Sequence, residues 1–246
     1  MKSTLYSIAR VNRLRRAAER ARTPPDERPG LGLDPGFSGR WFTSGCDPNE
    51  LVGVFAALRL REGFALRAYE YRSGGNGNGI IWAVPAGAPL LAPDDCPRLE
   101  DRFLSPPKPP GAVPLMQVIE GDGSPWSYLS ASVLWREAAE FGARWHGCHW
   151  SDQTILSKPP RQADGSLEWK LTGDAPVGDW TWHAPVPRKW EPACIERGTT
   201  REVVLYIRNP VGTDRIYRAT DTYQSGNYDP DSRDTVVCTG EGGIVY

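Results

Sequence analysis

The second half of the chain consists of short runs of β-favouring residues separated by turn residues, and this pattern most restricts the fold. The runs that predict strands are residues 153–157, 166–171, 178–183, 202–208, 214–220 and 234–239. Gly, Asp and Pro stand between them. Short strands at regular spacing are typical of antiparallel sheets, because tight turns connect neighbouring antiparallel strands directly. This half therefore predicts a sandwich or a partly open barrel.

Two stretches carry start and stop signals for helices, at about 48–62 and about 125–141. Asp47 and Ser124 precede them as N-caps, and a proline occupies the first helical position of each. A glycine follows each stretch and predicts its end. The expected fold class is α+β, mainly antiparallel β, with these two main helices and a basic helical arm at the N-terminus.

The charge of the chain is unevenly distributed. Residues 1–22 hold seven basic residues and one acidic residue, so their net charge is +6, and the remaining residues have a net charge of −7. Residues 3–22 predict a helix that ends at Thr23-Pro24-Pro25. Its apolar residues do not gather on one side, so we expect the helix to order only against a partner. The basic side chains are Lys2, Arg10, Arg13, Arg15, Arg16, Arg20 and Arg22.

Changes in composition along the chain predict its organisation. We expect a basic helical arm over residues 1–24 and a small α+β segment over residues 25–104. The proline-rich residues 105–114 predict a linker or a surface crossing in the polyproline II conformation. Residues 115–246 then form a segment of one helix and many strands. Residues 25–246 could equally form a single domain.

Composition excludes several protein classes. A hydrophobic content of 39% and an aromatic content of 10% are sufficient for a packed core, which excludes a disordered chain. No apolar run approaches the roughly 18 residues that a membrane span requires. Five dispersed cysteines favour a reducing compartment over a disulfide framework. With no apolar stretch typical of a secretory signal, we expect a cytoplasmic protein.

Reactive side chains are densest around residues 145–150. His146, Cys148 and His149 fall within four residues, and His183 could supply a further group. Cys148 could be a nucleophile that a nearby histidine activates. No second pair has the spacing of metal ligands, so we expect neither a metal nor a cofactor. An enzyme or small-ligand-binding protein with its site here is the alternative function.

Three further patterns have mainly structural interpretations. The glycine-rich residues 75–79 predict a hairpin tip, because no helix follows to form a phosphate site. Asp229, Asp231 and Asp234 predict a solvated turn, since the spacing of a calcium loop is absent. These three lie in one polar stretch. Trp180 and Trp182 share one face of a strand, where they either pack in the core or bind a planar ligand.

The basic arm is the strongest signal of function. We expect a non-catalytic interaction or assembly factor that docks on an acidic protein surface or a large complex through this arm. An excess of one sign over about twenty residues is typical of interaction segments. Nucleic acid could bind through the arm only, and a peripheral membrane contact is a further alternative. No aligned catalytic triad or cofactor fingerprint is present, so an enzyme is less favoured.

Overall fold

The computed structural model describes residues 2–23, 39–73, 76–143, 150–160 and 180–240. Within these ranges there are three α-helices and thirteen β-strands. The strands form three antiparallel sheets. None of these sheets closes into a barrel. The expected α+β class with mainly antiparallel strands is confirmed.

The largest sheet has seven strands and unites the two ends of the chain. Strand β1 pairs with β10, and β10 to β13 form an antiparallel meander in which β11, β12 and β13 have ten residues each. Along the sheet the order is β1 (Lys2–Leu5), β10 (Ala193–Arg197), β11 (Thr200–Asn209), β12 (Arg215–Gln224), β13 (Asp231–Gly240) and β9 (Trp180–Trp182), and β8 (Thr154–Leu156) also pairs with β11.

Two smaller sheets come from the first half of the chain. One has the order β2 (Arg40–Thr43), β4 (Phe64–Ser73), β5 (Asn76–Pro85) and β6 (Val113–Pro114). The other pairs β3 (Leu58–Leu60) with β7 (Ile119–Gly121). Val113–Pro114 lies within the proline-rich segment, so the end of that segment belongs to a sheet.

The helices are α1 (Ile8–Arg22), α2 (Pro48–Gly53) and α3 (Pro125–Ala139). Each begins after a side-chain cap, from Ser7, Asp47 and Ser124 respectively, whose oxygen accepts a hydrogen bond from a backbone N–H of the first turn. Short 3₁₀ turns occupy Pro93–Asp95, Leu115–Val118 and Trp150–Asp152.

Two helix predictions were wrong in extent, for the same reason. The helix expected over residues 3–22 begins only at Ile8, because Lys2–Leu5 pairs with β10. The helix expected over residues 48–62 ends at Gly53, because Leu58–Leu60 pairs with β7. In both places a distant strand supplies hydrogen bonds that compete with continuation of the helix. The expected strand at residues 166–171 lies outside the described residues.

Helix α3 is the centre of the main core. Ten of its fifteen residues are buried, and Leu129, Val133 and Leu134 are completely inaccessible to solvent. The same core cluster includes Val11 from α1 and Leu205 from β11. Residues on both sides of the proline-rich segment thus pack together. The domain boundary at that segment stays a prediction.

The hairpin expected at the glycine-rich run is present, but strand β5 extends through most of the run. Asn76–Gly79 belongs to strand β5, and only residues 74–75 separate β5 from β4. A Cβ atom added to Gly79 would overlap the carbonyl oxygen of Phe141. Glycine is required here because the chain that follows α3 crosses β5 in backbone contact.

Candidate interaction surface on the N-terminal helix

The basic arm is built into the fold at its first residues. Strand β1 forms four pairs with β10, from Lys2 opposite Glu196 to Leu5 opposite Ala193. The N–H of Tyr6 then donates to the carbonyl of Pro192 at 2.8 Å. Helix α1 therefore starts from a fixed position at the edge of the large sheet.

One face of α1 is buried against the rest of the chain. Val11 and Ala18 are completely buried, and the side chain of Arg22 is only 6% exposed. The Nε of Arg22 donates to Oε2 of Glu137 at 2.8 Å, and its Nη1 donates to the carbonyl of Glu140 at 3.2 Å. The last turn of α1 is thus held on α3 by a buried, hydrogen-bonded ion pair. This packing corrects the expectation that the helix orders only against a partner.

Arg15 also points inward. Its guanidinium donates to the carbonyls of Trp150 at 2.6 Å and Gln153 at 3.0 Å, and it lies 4.0 Å above the Trp150 ring. The Nε1 of Trp150 donates to Oε1 of Glu137 at 2.9 Å. Burial raises the pKa of Glu137, while Arg22 and Arg15 oppose that rise. Arg22 supplies the direct ion pair and Arg15 a second positive charge at 4.0 Å, and loss of the direct pair would be strongly destabilising because it leaves a carboxylate unpaired at this depth.

The opposite face of α1 is exposed and cationic. Arg10, Arg13, Arg16 and Arg20 all have exposed side chains. At about 100° per residue they fall within an arc of about 120°. This arc lies opposite the stripe of Val11, Ala18, Arg15 and Arg22. The arginines therefore do not surround the helix at random, as the sequence had suggested, but divide into an inward pair and an outward set.

The outward set consists of one fixed arginine and three that have no partner in the part of the chain that the structure describes. The Arg10 guanidinium lies 3.7 Å from the centre of the Trp126 ring, in cation–π contact. Arg13, Arg16 and Arg20 have no hydrogen bond or ion pair with any described residue, and they occupy positions i, i+3 and i+7 of one helical stripe. We call these three the arginine stripe. Lys2 is exposed on β1 but lies outside the stripe.

A heptad spacing marks the buried face of α1 in the sequence, although it does not tell which arginines are buried. Val11, Ala18 and Arg22 follow one another at spacings of seven and four residues, which places them on one helix face. This spacing is hard to recognise as a buried face, because an alanine and an arginine rather than large apolar residues occupy two of the three positions. Arginine is rarely buried unless it is paired, and its partner Glu137 is 115 residues away.

The two tryptophans proposed to bind a planar ligand lie in a small satellite core. Trp180 and Trp182 are half-buried on β9 and pack against a cluster of Trp190, Ile216 and Cys238. The rings of Trp182 and Trp190 meet edge to face, with centroids 6.2 Å apart. The indoles thus take part in packing, and a planar ligand on their exposed parts stays a prediction.

Most of the histidine and cysteine cluster falls outside the part of the chain that the structure describes. His146, Cys148 and His149 lie outside them. His183 is exposed, and its Nε2 lies 3.0 Å from the hydroxyl oxygen of Thr239. No group of three or more His, Cys, Asp or Glu residues in the described ranges could hold a metal ion. The alternative site around Cys148 stays a prediction.

The three aspartates of the polar stretch do not converge on a metal site either. The N–H of Asp229 donates to the Asn227 side chain at 2.9 Å, as in a local turn. Burial raises the pKa of both Asp229 and Asp234. The expected turn is wrong for Asp231 and Asp234, because both lie on strand β13 with exposed side chains.

Thiol alkylation tests the alternative site cleanly, because the other cysteines are protected. Cys46, Cys194 and Cys238 are buried, and burial raises the pKa of each thiol to about 11. From an ordinary thiol value of 9.0, this rise lowers the thiolate fraction at neutral pH about a hundredfold. With iodoacetamide at neutral pH, we expect these three to react at least tenfold more slowly than free cysteine, as followed by peptide mass spectrometry. Fast modification of any of them would contradict the burial described, whereas fast modification of Cys148 would favour the alternative site.

No helix among the described residues is long and apolar enough to cross a membrane. No protein-family model matches the chain, and neither a curated protein nor a solved structure matches it. The case for a function therefore rests on the chain's own residues.

Proposed function

We propose that this protein is a non-catalytic, cytoplasmic interaction or assembly factor that docks on an acidic protein surface, alone or within a large complex, through the arginine stripe. The observation that carries the proposal is the set of three exposed arginines without partners among the described residues, on a helix that is fixed from both ends. Arg13, Arg16 and Arg20 present charge, and strand β1 and Arg22 hold the helix in place.

Guanidinium groups suit a carboxylate-rich partner. Each offers planar, paired N–H donors that match the two oxygens of a carboxylate. Because α1 is already packed on α3, binding does not require the helix to fold first. Less conformational entropy is then lost on association than a disordered basic tail would lose.

An acidic protein is favoured over nucleic acid by the charge of the rest of the chain. Residues 23–246 have a net charge of −7. A nucleic acid longer than the helix would bring phosphates close to this acidic body, where they are repelled. A protein partner can restrict its carboxylates to the surface that faces α1.

Charge reversal of the arginine stripe tests the proposal. We expect the triple variant R13E/R16E/R20E to bind poly-L-glutamate at least tenfold more weakly than the parent, at about 0.15 M salt. The substitutions turn three attractive contacts with carboxylates into repulsive ones. Each exposed ion pair contributes about 0.2–1 kcal/mol to the interaction free energy. Titration by fluorescence anisotropy of labelled polymer gives the affinity, and the thermal transition checks that the variant is folded.

The matched control reverses three exposed arginines elsewhere, as R40E/R188E/R215E. It changes the net charge equally but leaves α1 intact, so its loss of binding should be clearly smaller. An equal loss in the control would contradict the proposal, because net charge alone would then explain binding. Tighter binding of duplex DNA or of phosphatidylserine vesicles than of poly-L-glutamate, abolished by the stripe variant, would replace the acidic protein with nucleic acid or membrane.

A further inference from the structure

A groove with a volume of about 570 Å³ opens beside the four-stranded sheet, on a different side of α3 from α1. Strand β5, the loop at residues 102–106, the 3₁₀ turn at 115–118 and the C-terminal half of α3 form its walls. Its volume lies within the range of about 300–1,000 Å³ that small-molecule sites occupy. The aromatic residues of the wall are Trp41, Trp82, Phe103 and Trp135.

The three tryptophans present carbon rather than polar atoms to the groove, because each indole N–H is already occupied. The contacts are Trp41 to the carbonyl of Leu104 at 2.8 Å, Trp82 to the carbonyl of Pro107 at 2.7 Å, and Trp135 to Oδ2 of Asp221 at 3.4 Å. These bonds also fix the ring orientations. The groove is therefore suited to an apolar, ring-containing body and offers little to a sugar, which needs many hydrogen bonds.

Two polar side chains of the wall remain available, and both are donors. The Oδ1 of Asn78 accepts from the N–H of Gly79 at 2.9 Å, and its amide nitrogen has no hydrogen bond to any residue in the described ranges. The guanidinium of Arg102 is exposed and has no partner among the residues the structure describes. A cation and an N–H donor without acceptors are complementary to an anionic group.

The strand register places both donors at the same end of the groove. Trp41 pairs with Tyr71, which pairs in turn with Asn78, so Trp41 and Asn78 lie at one level of the sheet. The Trp41 indole also holds Leu104, two residues after Arg102. The groove thus has a donor-bearing end, and its apolar walls extend away towards Trp135.

The loop that carries Arg102 is held in an unfavourable backbone conformation. Leu104 and Ser105 have φ angles of 63° and 43°, in the left-handed region that residues other than glycine rarely adopt. The bond from Trp41, and a hydrogen bond from the Ser105 N–H to the Arg102 carbonyl at 2.9 Å, keep the loop in place. The fold therefore maintains a strained loop at the donor-bearing end of an aromatic groove.

We propose that this groove binds a small aromatic compound that carries one anionic group, such as a carboxylate or a sulfonate. The ring system lies against Trp41 and Trp135, and the anionic group binds Arg102 and Asn78. The site is separate from the arginine stripe, since Glu137 and Glu140 contact α1 whereas Trp135, Ala138 and Ala139 line the groove.

A matched pair of fluorescent probes tests the site, namely anilinonaphthalene sulfonate and phenylnaphthylamine, which has the same rings without the sulfonate. We expect the sulfonate probe to bind the parent at one site. The R102Q variant should bind it about tenfold or more weakly, because a hydrogen bond to a charged group is lost. Binding of the neutral probe should not change, and the control R215Q should bind both probes like the parent.

A second substitution tests the position of the rings. We expect A138W, which fills the groove, to bind neither probe, and its thermal transition reports whether it is folded. If A138W does not fold, F103S removes part of the wall at a residue that is 71% exposed and should weaken both probes.

Two results would overturn the proposal. Unchanged sulfonate affinity in R102Q would remove the anion site, and unchanged binding of both probes by folded A138W or F103S would place the probes elsewhere. The stripe variant R13E/R16E/R20E should bind both probes normally. Loss of the sulfonate probe in that variant would place the sulfonate on α1, which would overturn the groove without bearing on the acidic partner.

Discussion

A chain that lacks residues 2–22 is expected to lose cooperative unfolding altogether, rather than to leave a folded body without its arm. The deletion removes Tyr6, Val11 and Ala18 from the main core cluster and takes β1 from the edge of the large sheet. It also leaves Glu137, whose side chain is 2% exposed, without Arg22. That loss alone is worth about 3–5 kcal/mol, against a typical total stability of about 5–15 kcal/mol.

Near-ultraviolet circular dichroism and a thermal scan measure the outcome. The control is R13S/R16S/R20S, which removes three of the same charges from the exposed face and should unfold at nearly the temperature of the parent. A cooperative transition of the truncated chain at the parent's temperature would show that α1 is dispensable for folding. Because truncation removes the core together with the charge, only substitutions on the exposed face can test partner binding.

Replacing Arg136 by methionine is expected to lower the free energy of unfolding by about 3–5 kcal/mol. Arg136 donates to both carboxylate oxygens of Asp221, at 2.6 and 3.1 Å, and the two side chains are 7% and 1% exposed. Methionine fills similar space but leaves the Asp221 carboxylate buried without a cation. Urea denaturation gives the change, with the slope of the transition showing whether unfolding remains two-state.

The matched control for this substitution is R59M. Arg59 also binds a carboxylate, that of Glu120 at 2.9 Å, but the two side chains are 78% and 35% exposed. Solvent screens that pair, so the change should stay within about 1 kcal/mol. The double variant R136M/D221L should recover part of the loss, because no charge is then left unpaired. Equal effects of R136M and R59M would contradict the role assigned to burial.

Buried ion pairs connect α3 to α1 through Arg22 and to the large sheet through Asp221. The three residues of the arginine stripe can be changed with little effect on stability, since they have no partners among the described residues. The inward arginines cannot. A loss of binding in the stripe variants can therefore be interpreted as a loss of contact with the partner.

The sequence was sufficient for features that depend on neighbouring residues. Ser124 and Asp47 cap their helices where expected, because a cap needs only the backbone N–H groups of the following turn. The long strands β11, β12 and β13 overlap the predicted runs for a similar reason, since turn residues between β-favouring runs act locally. The mainly antiparallel α+β class followed from these local signals.

The position of every predicted element in space depended on contacts between distant residues. Lys2–Leu5 is a strand because it pairs with β10, which lies in the second half of the chain. Arg22 is buried because it forms an ion pair with Glu137 on α3. The groove lies where β5, the Arg102 loop and α3 meet. The sequence by itself thus determined the charge, the caps and the strand-forming runs, because hydrogen bonds within a turn or hairpin are encoded locally. Only the tertiary structure decided which arginines face solvent and where the groove lies, because burial depends on which distant segments pack together.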